Sequence, residues 1–423
     1  MTLPDQSALS RRDYIRALVA VGGASALSAC LDAVGSDDGP DVPSGTDNPA
    51  SLPDRQHAWN DALARDDDGN VQLPDHHVLV ALSLETEVDD EARETTEQAL
   101  RTLERAYEWG HEGLVFTIGY TPAYFDRFEA SPAEVDLPEP EPLADDETPE
   151  YDEFDALLHL ASDHPSVVLE AEAGLFGERD RVNGLEVETD LTGVFDRLDD
   201  RRRTGFIGEG LPAEHTDVSG VPDAVPEDAP FFMGFRAGFT DSQATEDRVT
   251  IEDGPFAGGT TQHISSMAIN LTQWFDQENH YQRVSKLFSP EHADEELTGS
   301  VGEALGASSG LTTDRIEATE VDAREGGVVG HAQKAARARE DGQPLLLRRD
   351  FNTVDGDQPG LHFLALQRGI DHFVRVREAM NGDDLDVATA NNGILHYLFV
   401  DRRGNYLIPP RPLRALPSAD PTS

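Results

Sequence analysis

Short apolar runs alternate with amphipathic stretches along most of the chain, and their order sets the expectation for the fold. Residues 77–84 (HVLVALSL) form a run of strand length. Residues 91–109 place Ala99, Leu100, Leu103, Ala106 and Tyr107 on one face of a helix. Residues 114–119 (LVFTIG) predict a second strand, stopped by Tyr120-Thr121-Pro122, and residues 155–161 (DALLHLA) a third. Asp163 is placed to cap the next helix, with Pro165 in its first turn and Val168, Leu169 and Leu175 facing inward. Residues 185–191 (LEVETDL) are expected to complete the set, and the acidic, proline-rich stretch 131–150 reads as an exposed, mobile loop.

The same order returns in the second half. Residues 261–271 (TQHISSMAINL) predict a strand, and residues 272–287 are at least partly helical. Residues 345–349 and 361–367 (LHFLALQ) predict two more strands, 370–380 an amphipathic helix, and 394–401 (ILHYLFVD) the last strand. Two βαββαβ units in tandem define an α+β fold, a tandem ferredoxin-like arrangement of the dimeric α/β-barrel type. The division expected is a signal at 1–30, a tether at 31–55, an N-terminal half at 56–220 and a C-terminal half at 221–423.

Charge changes the picture. The 33 Lys+Arg stand against 82 Asp+Glu, a formal net charge of -49. Nucleic acid is thereby excluded as a default partner, because phosphate backbones need a basic footprint. With 38% apolar residues in periodic runs, the charge reads as the surface of a folded protein adapted to molar salt, where repulsion is screened within a few ångströms. Only Lys286 and Lys334 are lysines; every other basic residue is arginine.

The N-terminus reads as an address. Ser10-Arg11-Arg12-Asp13-Tyr14-Ile15-Arg16 resembles a twin-arginine export signal, followed by a weakly apolar stretch too short to span a bilayer. Leu27-Ser28-Ala29-Cys30 resembles a lipobox, and Cys30 is the only cysteine of the chain. The expectation is export and a lipid anchor on the outer face of the cell membrane, the only membrane contact. Residues 31–53, rich in Asp, Gly, Pro and Ser, read as a solvated tether.

Five segments, in order, resemble the dye-decolorising (DyP-type) haem peroxidase family. They are residues 114–127 (LVFTIGYTPAYFDR), 155–176 with a Ser-Asp-His-Pro centre, 232–238 (FMGFRAG) on the family's Gly-x-x-Asp-Gly motif, 346–352 (LLRRDFN), and 360–368 (GLHFLALQR). The resemblance spans roughly residues 56–400. It implies the tandem ferredoxin-like fold, one haem b in the C-terminal half, and reduction of hydrogen peroxide by an electron donor it does not identify.

Residue by residue, the resemblance implies that His331, 17 positions before Arg348, ligates the haem iron. His263 and His362 are fallback ligands. Arg348 falls on the distal arginine, with Arg349 as the alternate, to stabilise charge as the O–O bond breaks. Gly234 and Gly238 match the motif's glycines and are expected beside the cofactor. Ala237 stands where the family's distal aspartate belongs, and a methyl group carries no proton. Asp241 and Asp350 are the candidates to replace it.

Other features are weaker. Asp66-Asp67-Asp68-Gly69-Asn70 hints at calcium but lacks the spacing of a loop site, and reads as a solvated turn. The 14 histidines show no short metal spacing. Trp59, Trp109 and Trp274 are either radical relays or packing. Three functions remain: a peroxidase; a haem-binding or haem-iron-handling lipoprotein weakened by Ala237; and a cofactor-free binding scaffold. Oligomeric state is not encoded in any of these patterns.

Overall fold

The computed structural model describes residues 41–421. The export signal, the lipobox and Cys30 lie outside the described residues. Eight strands close into an antiparallel barrel. The first half gives β1 (His76–Leu84), β2 (Val115–Tyr120), β3 (Ala156–Ser162) and β4 (Arg203–Phe206), with helix α1 (Asp90–Ala106) after β1 and α2 (Pro165–Leu175) after β3. The second half gives β5 (Thr260–Ile269), helices α3 (Leu271–Gln277), α4 (His280–Leu287) and α5 (His331–Ala335), then β6 (Leu347–Arg348), β7 (Phe351–Thr353), β8 (Gly360–Gln367), α6 (Ile370–Asn381) and β9 (Leu398–Ile408).

The barrel runs β1-β3-β2-β9-β5-β8-β7-β4 and back to β1, with β6 extending the pairing of β8. Each half contributes a ferredoxin-like four-strand set, joined at Asn352↔Phe206 and Leu407↔Tyr120. The tandem ferredoxin-like expectation holds.

The near-continuous apolar runs follow from burial on both faces. In β1, Leu79 and Ala81 face the barrel interior with Ile264, Phe351 and Leu364, while Val78, Val80 and Leu82 meet α1 and α2 outside. Asp89 caps α1 by accepting from Ala92 N at 2.8 Å, and Asp90 and Glu91 suit its positive end.

Several local expectations are corrected. Asp163 does not cap α2; His164 holds that position, and Asp163 accepts from Asp75 N and meets His111 at 2.7 Å. Only Leu185–Glu186 of the stretch 185–191 is strand, paired with Arg181–Val182 in a separate hairpin, and β4 closes the first half instead. The last strand starts at Leu398, after a short turn, and runs to Ile408. Loop 131–150 is a strap: Glu147 receives Arg377 at 2.7 Å and Arg403 at 2.8 Å, and Asn405 donates to Pro138 O. The C-terminal part of the expected tether lies on the body, where Gly45 N and Thr46 N donate to Arg105 O and Glu104 O. Among the described residues no helix is long and apolar enough to cross a membrane.

Candidate functional site

Strand alternation builds the site. In β6 and β7, residues 348, 350 and 352 face outward from the barrel, and 347, 349 and 351 face inward or toward the N-terminal segment. Arg348, Asp350 and Asn352 therefore share one cavity wall. Met267 and Ile269 of β5, Leu361 and Phe363 of β8, and Leu398 and Val400 of β9 continue it as an apolar floor. A bulge between Val400 and Arg402 shifts the register of β9 and returns Arg403 to that face.

Against this floor stand residues 231–233 and 235–237, Leu287 of α4, His331 of α5 and Met380 of α6. They leave two adjoining cavities of about 140 and 160 Å³. Both are bordered by His331 and Arg348, together with Ala237, Leu287, Phe363 and Met380, so they form one slot around the His331–Arg348 pair.

His331 lies deep in the protein yet keeps accessible surface, because its ring faces that slot. Its Nδ1 is buried with no hydrogen-bond partner. Burial, reinforced by Lys334, Arg348 and Arg377, holds its pKa down to about 3, so the imidazole is neutral with a free lone pair. Gly330 is required just before it: a Cβ there would lie 1.7 Å from Phe288 O. Lys334, one turn on, fixes α5 by donating to Met380 O at 2.5 Å, Asn392 O at 2.9 Å and Asn392 Oδ1 at 2.6 Å. Both lysines of the chain are buried beside this region; sequence reading singled them out as composition but not as anchors.

Asp350 is 6% exposed, takes Leu364 N at 3.0 Å, and lies 3.3 Å from Arg348 Nη1. Burial pushes its carboxyl up to about 6, against the pull of Arg348 and of that N–H. Of the two candidate replacements for the missing acid, Asp350 reaches the slot; Asp241 is exposed and lines neither cavity.

Arg349 is not interchangeable with Arg348. It pairs with Glu246 at 2.8 Å, donates to His57 O at 2.7 Å and lies over the Trp59 ring, away from the slot. His263 is bound to Asn405 and Ser265 and stacks on Phe373 at 3.6 Å; His362 is bound to Ser266 and Asp355. Neither borders the slot. Gly234 and Gly238 do not border it either; both have positive φ and turn the backbone that presents Phe235, Arg236 and Ala237. Trp59 and Trp274 are fully buried, which is packing rather than surface relay. Asp66 caps its own turn through Asp68 N and Asn70 N. Among the described residues no cluster of three His, Cys, Asp or Glu forms a metal site.

A polar cleft of about 630 Å³ opens onto Arg236, Ala237, Arg348 and Asp350 from the side of residues 60–75. It offers an open route to the arginine side of the slot. The slot itself has one exposed imidazole, apolar walls, an arginine–carboxylate pair and a surplus of guanidinium groups. That donor set fits haem: a neutral imidazole nitrogen that could hold the iron, apolar walls for the ring and positive charge for its carboxylates.

The fold defined here is that of the DyP-type peroxidases. Solved structures of that class share it: the dye-decolorizing protein of V. cholerae has a TM-score of 0.54 at 15% identity, covering 84% of this chain and 98% of its own. The dye-decolorizing peroxidase of Bacteroides thetaiotaomicron gives 0.52 at 13%, covering 84% and 99%. A DypB variant of Rhodococcus jostii, solved in complex with haem, gives 0.52 at 14%, covering 85% and 99%. Residues 74–410 match a family of unknown function (DUF7405), and the chain belongs to it. No curated protein matches the chain by sequence.

Proposed function

We propose that the chain is an exported, lipid-anchored haem peroxidase that reduces hydrogen peroxide at the expense of a one-electron donor that the site does not identify. The observation that carries the reading is the convergence of His331, Arg348 and Asp350 on one apolar slot, on the DyP-type fold. The balance is simple: peroxide takes up two electrons from two donor molecules and two protons, and leaves as two waters.

When bound, haem supplies an iron centre that takes up peroxide and relays the two electrons. Neutral His331 would hold that iron through a ring nitrogen. Asp350 borders the same space and accepts a proton from one peroxide oxygen, then delivers it to the other. Arg348, which lines the same cavity, would offset the negative charge that develops on the leaving oxygen. The apolar walls keep bulk water from these charges and so strengthen their action. Ala237 favours a second reading, haem binding or haem-iron handling with weak turnover, because it leaves Asp350 as the sole carboxylate on the slot.

The test is an absorption spectrum of the chain purified in high salt with haem, beside His331→Ala. A stoichiometric Soret band, lost or shifted in the variant, is expected; its absence from the wild type refutes both haem readings. Peroxide turnover above that of free haem separates peroxidase from haem carrier. Release of Cys30→Ser from the membrane fraction tests the anchor; retention refutes it.

A further inference from the structure

The charge distribution of the slot is the reverse of that of the chain. The chain carries 82 Asp+Glu against 33 Lys+Arg, yet the cavity on the α5 side is bordered by Arg236, Arg339 and Arg348 and by no carboxylate. Two of these guanidiniums have acidic partners: Arg236 meets Glu209, and Arg348 meets Asp350 at 3.3 Å. Arg339 has neither an ion pair nor a hydrogen bond among the described residues, although it is half-buried. Its neighbours on that wall are Ala335, Ala336, Ala338, Pro344, Leu345 and Leu346, all apolar.

An arginine held against apolar surface without a counter-charge costs desolvation that nothing within the chain returns. In so acidic a sequence a carboxylate partner is the easiest one to supply, and none is supplied here. A guanidinium presents a planar fork of donors matched to a carboxylate in bidentate fashion. We propose that Arg339 is the anchor for a carboxylate of the planar apolar ligand that fills the slot. This inference rests on the haem reading, in which the carboxylate belongs to the porphyrin edge. The ligand's ring would lie along Ala335, Ala336 and Ala338, and its acidic edge would meet Arg339.

The experiment uses the full chain and metal-free protoporphyrin IX, whose binding needs no iron–His331 bond, titrated by fluorescence beside its dimethyl ester. Arg339→Gln is compared with Arg337→Gln. Arg337 is the adjacent surface arginine, which pairs with Asp384 and borders neither cavity. Circular dichroism checks that both variants fold, and Arg339 makes no internal bond whose loss would unfold the chain. Arg339→Gln is expected to weaken the free acid about 10- to 100-fold, the range for a charge-assisted bond. It leaves the ester unchanged, Arg339→Lys recovers part of the loss, and Arg337→Gln has no effect. Equal weakening of acid and ester, no weakening of either, or no porphyrin binding by the wild type overturns the proposal. Wild-type porphyrin binding without a Soret change in His331→Ala haem complexes overturns the axial-ligand reading alone.

Discussion

Asp350→Asn separates the stability of this protein from its chemistry. In the folded chain the Asp350 carboxyl titrates at about 6 instead of 3.8. At about 1.4 kcal/mol per pH unit, holding it ionised in the fold costs about 3 kcal/mol. The group is 6% exposed, so solvent does little to reduce that figure. Because the folded acid holds its proton more tightly than the unfolded one, the cost is absent below pH 3.8, grows between 3.8 and about 6, and is complete above it. Asparagine keeps the shape and the acceptor for Leu364 N. The variant is therefore expected to match the wild type near pH 4 and to be about 3 kcal/mol more stable at pH 8. Urea unfolding across that range, in molar salt, reads the difference. The same variant is expected to react with peroxide about 10²- to 10⁴-fold more slowly, the usual contribution of a positioned acid–base group. The wild-type rate should rise with pH through about 6 as the carboxylate forms, and the variant's profile should be flat. A variant less stable than the wild type at pH 8, or one that keeps the wild-type pH profile, refutes the assignment.

Three further outcomes follow from the geometry. Arg349→Ala should destabilise by about 1.5–3 kcal/mol in denaturant titrations, since it removes a charged hydrogen bond to Glu246, which keeps those from Trp59 N and Asn60 N, whereas Arg348→Ala should unfold normally and lose about 10²- to 10³-fold in peroxide turnover; the reverse pattern would exchange their roles. Gly330→Ala drives a methyl into Phe288 O, so haem retention during gel filtration should fall as in His331→Ala while the melting of the barrel changes little. Burial holds His57, His77 and His263 near pKa 3, so between pH 6.5 and 3 the unfolded chain takes up protons that the folded one refuses. These three should together remove about 4 kcal/mol per pH unit as the solution is acidified through that window. Replacing all three with glutamine should lower the slope by that amount, leaving the share of the other buried histidines such as His159 and His331, and an unchanged slope would refute the account.

The legible parts of the fold are those where burial writes itself on consecutive residues. Strands β1, β2, β3, β5 and β8 are buried on both faces, so their apolar runs locate them to within a residue or two. The short strand β4 was missed for the converse reason. Its sequence, RTGF, hides a buried Arg203 whose charge is matched by Asp152 across the barrel, a partner that local patterning does not reveal. The loop 131–150 is exposed over most of its length, as its acidic composition implies, but that composition conceals Glu147, the shared counter-ion of two buried arginines.

The site divides along the same line. His331 and Arg348 were found through resemblance, and strand alternation then explains why Arg348 rather than Arg349 faces the slot. What no linear pattern conveys is the exchange of one acid for another. Ala237 and Asp350 are 113 positions apart, yet both border the space beside Arg348. A carboxylate two residues beyond the arginine, between β6 and β7, lines the same cavity as the methyl group of the facing loop. Asp350 is thus tied to the sheet by the N–H of Leu364 instead of to the loop, and its raised pKa is the consequence of that buried seat. If this exchange is what preserves the chemistry, adding the loop acid back as Ala237→Asp should not rescue Asp350→Asn fully. The new carboxylate would sit nearer the open cleft, and the acid limb of the pH profile should move below about 6.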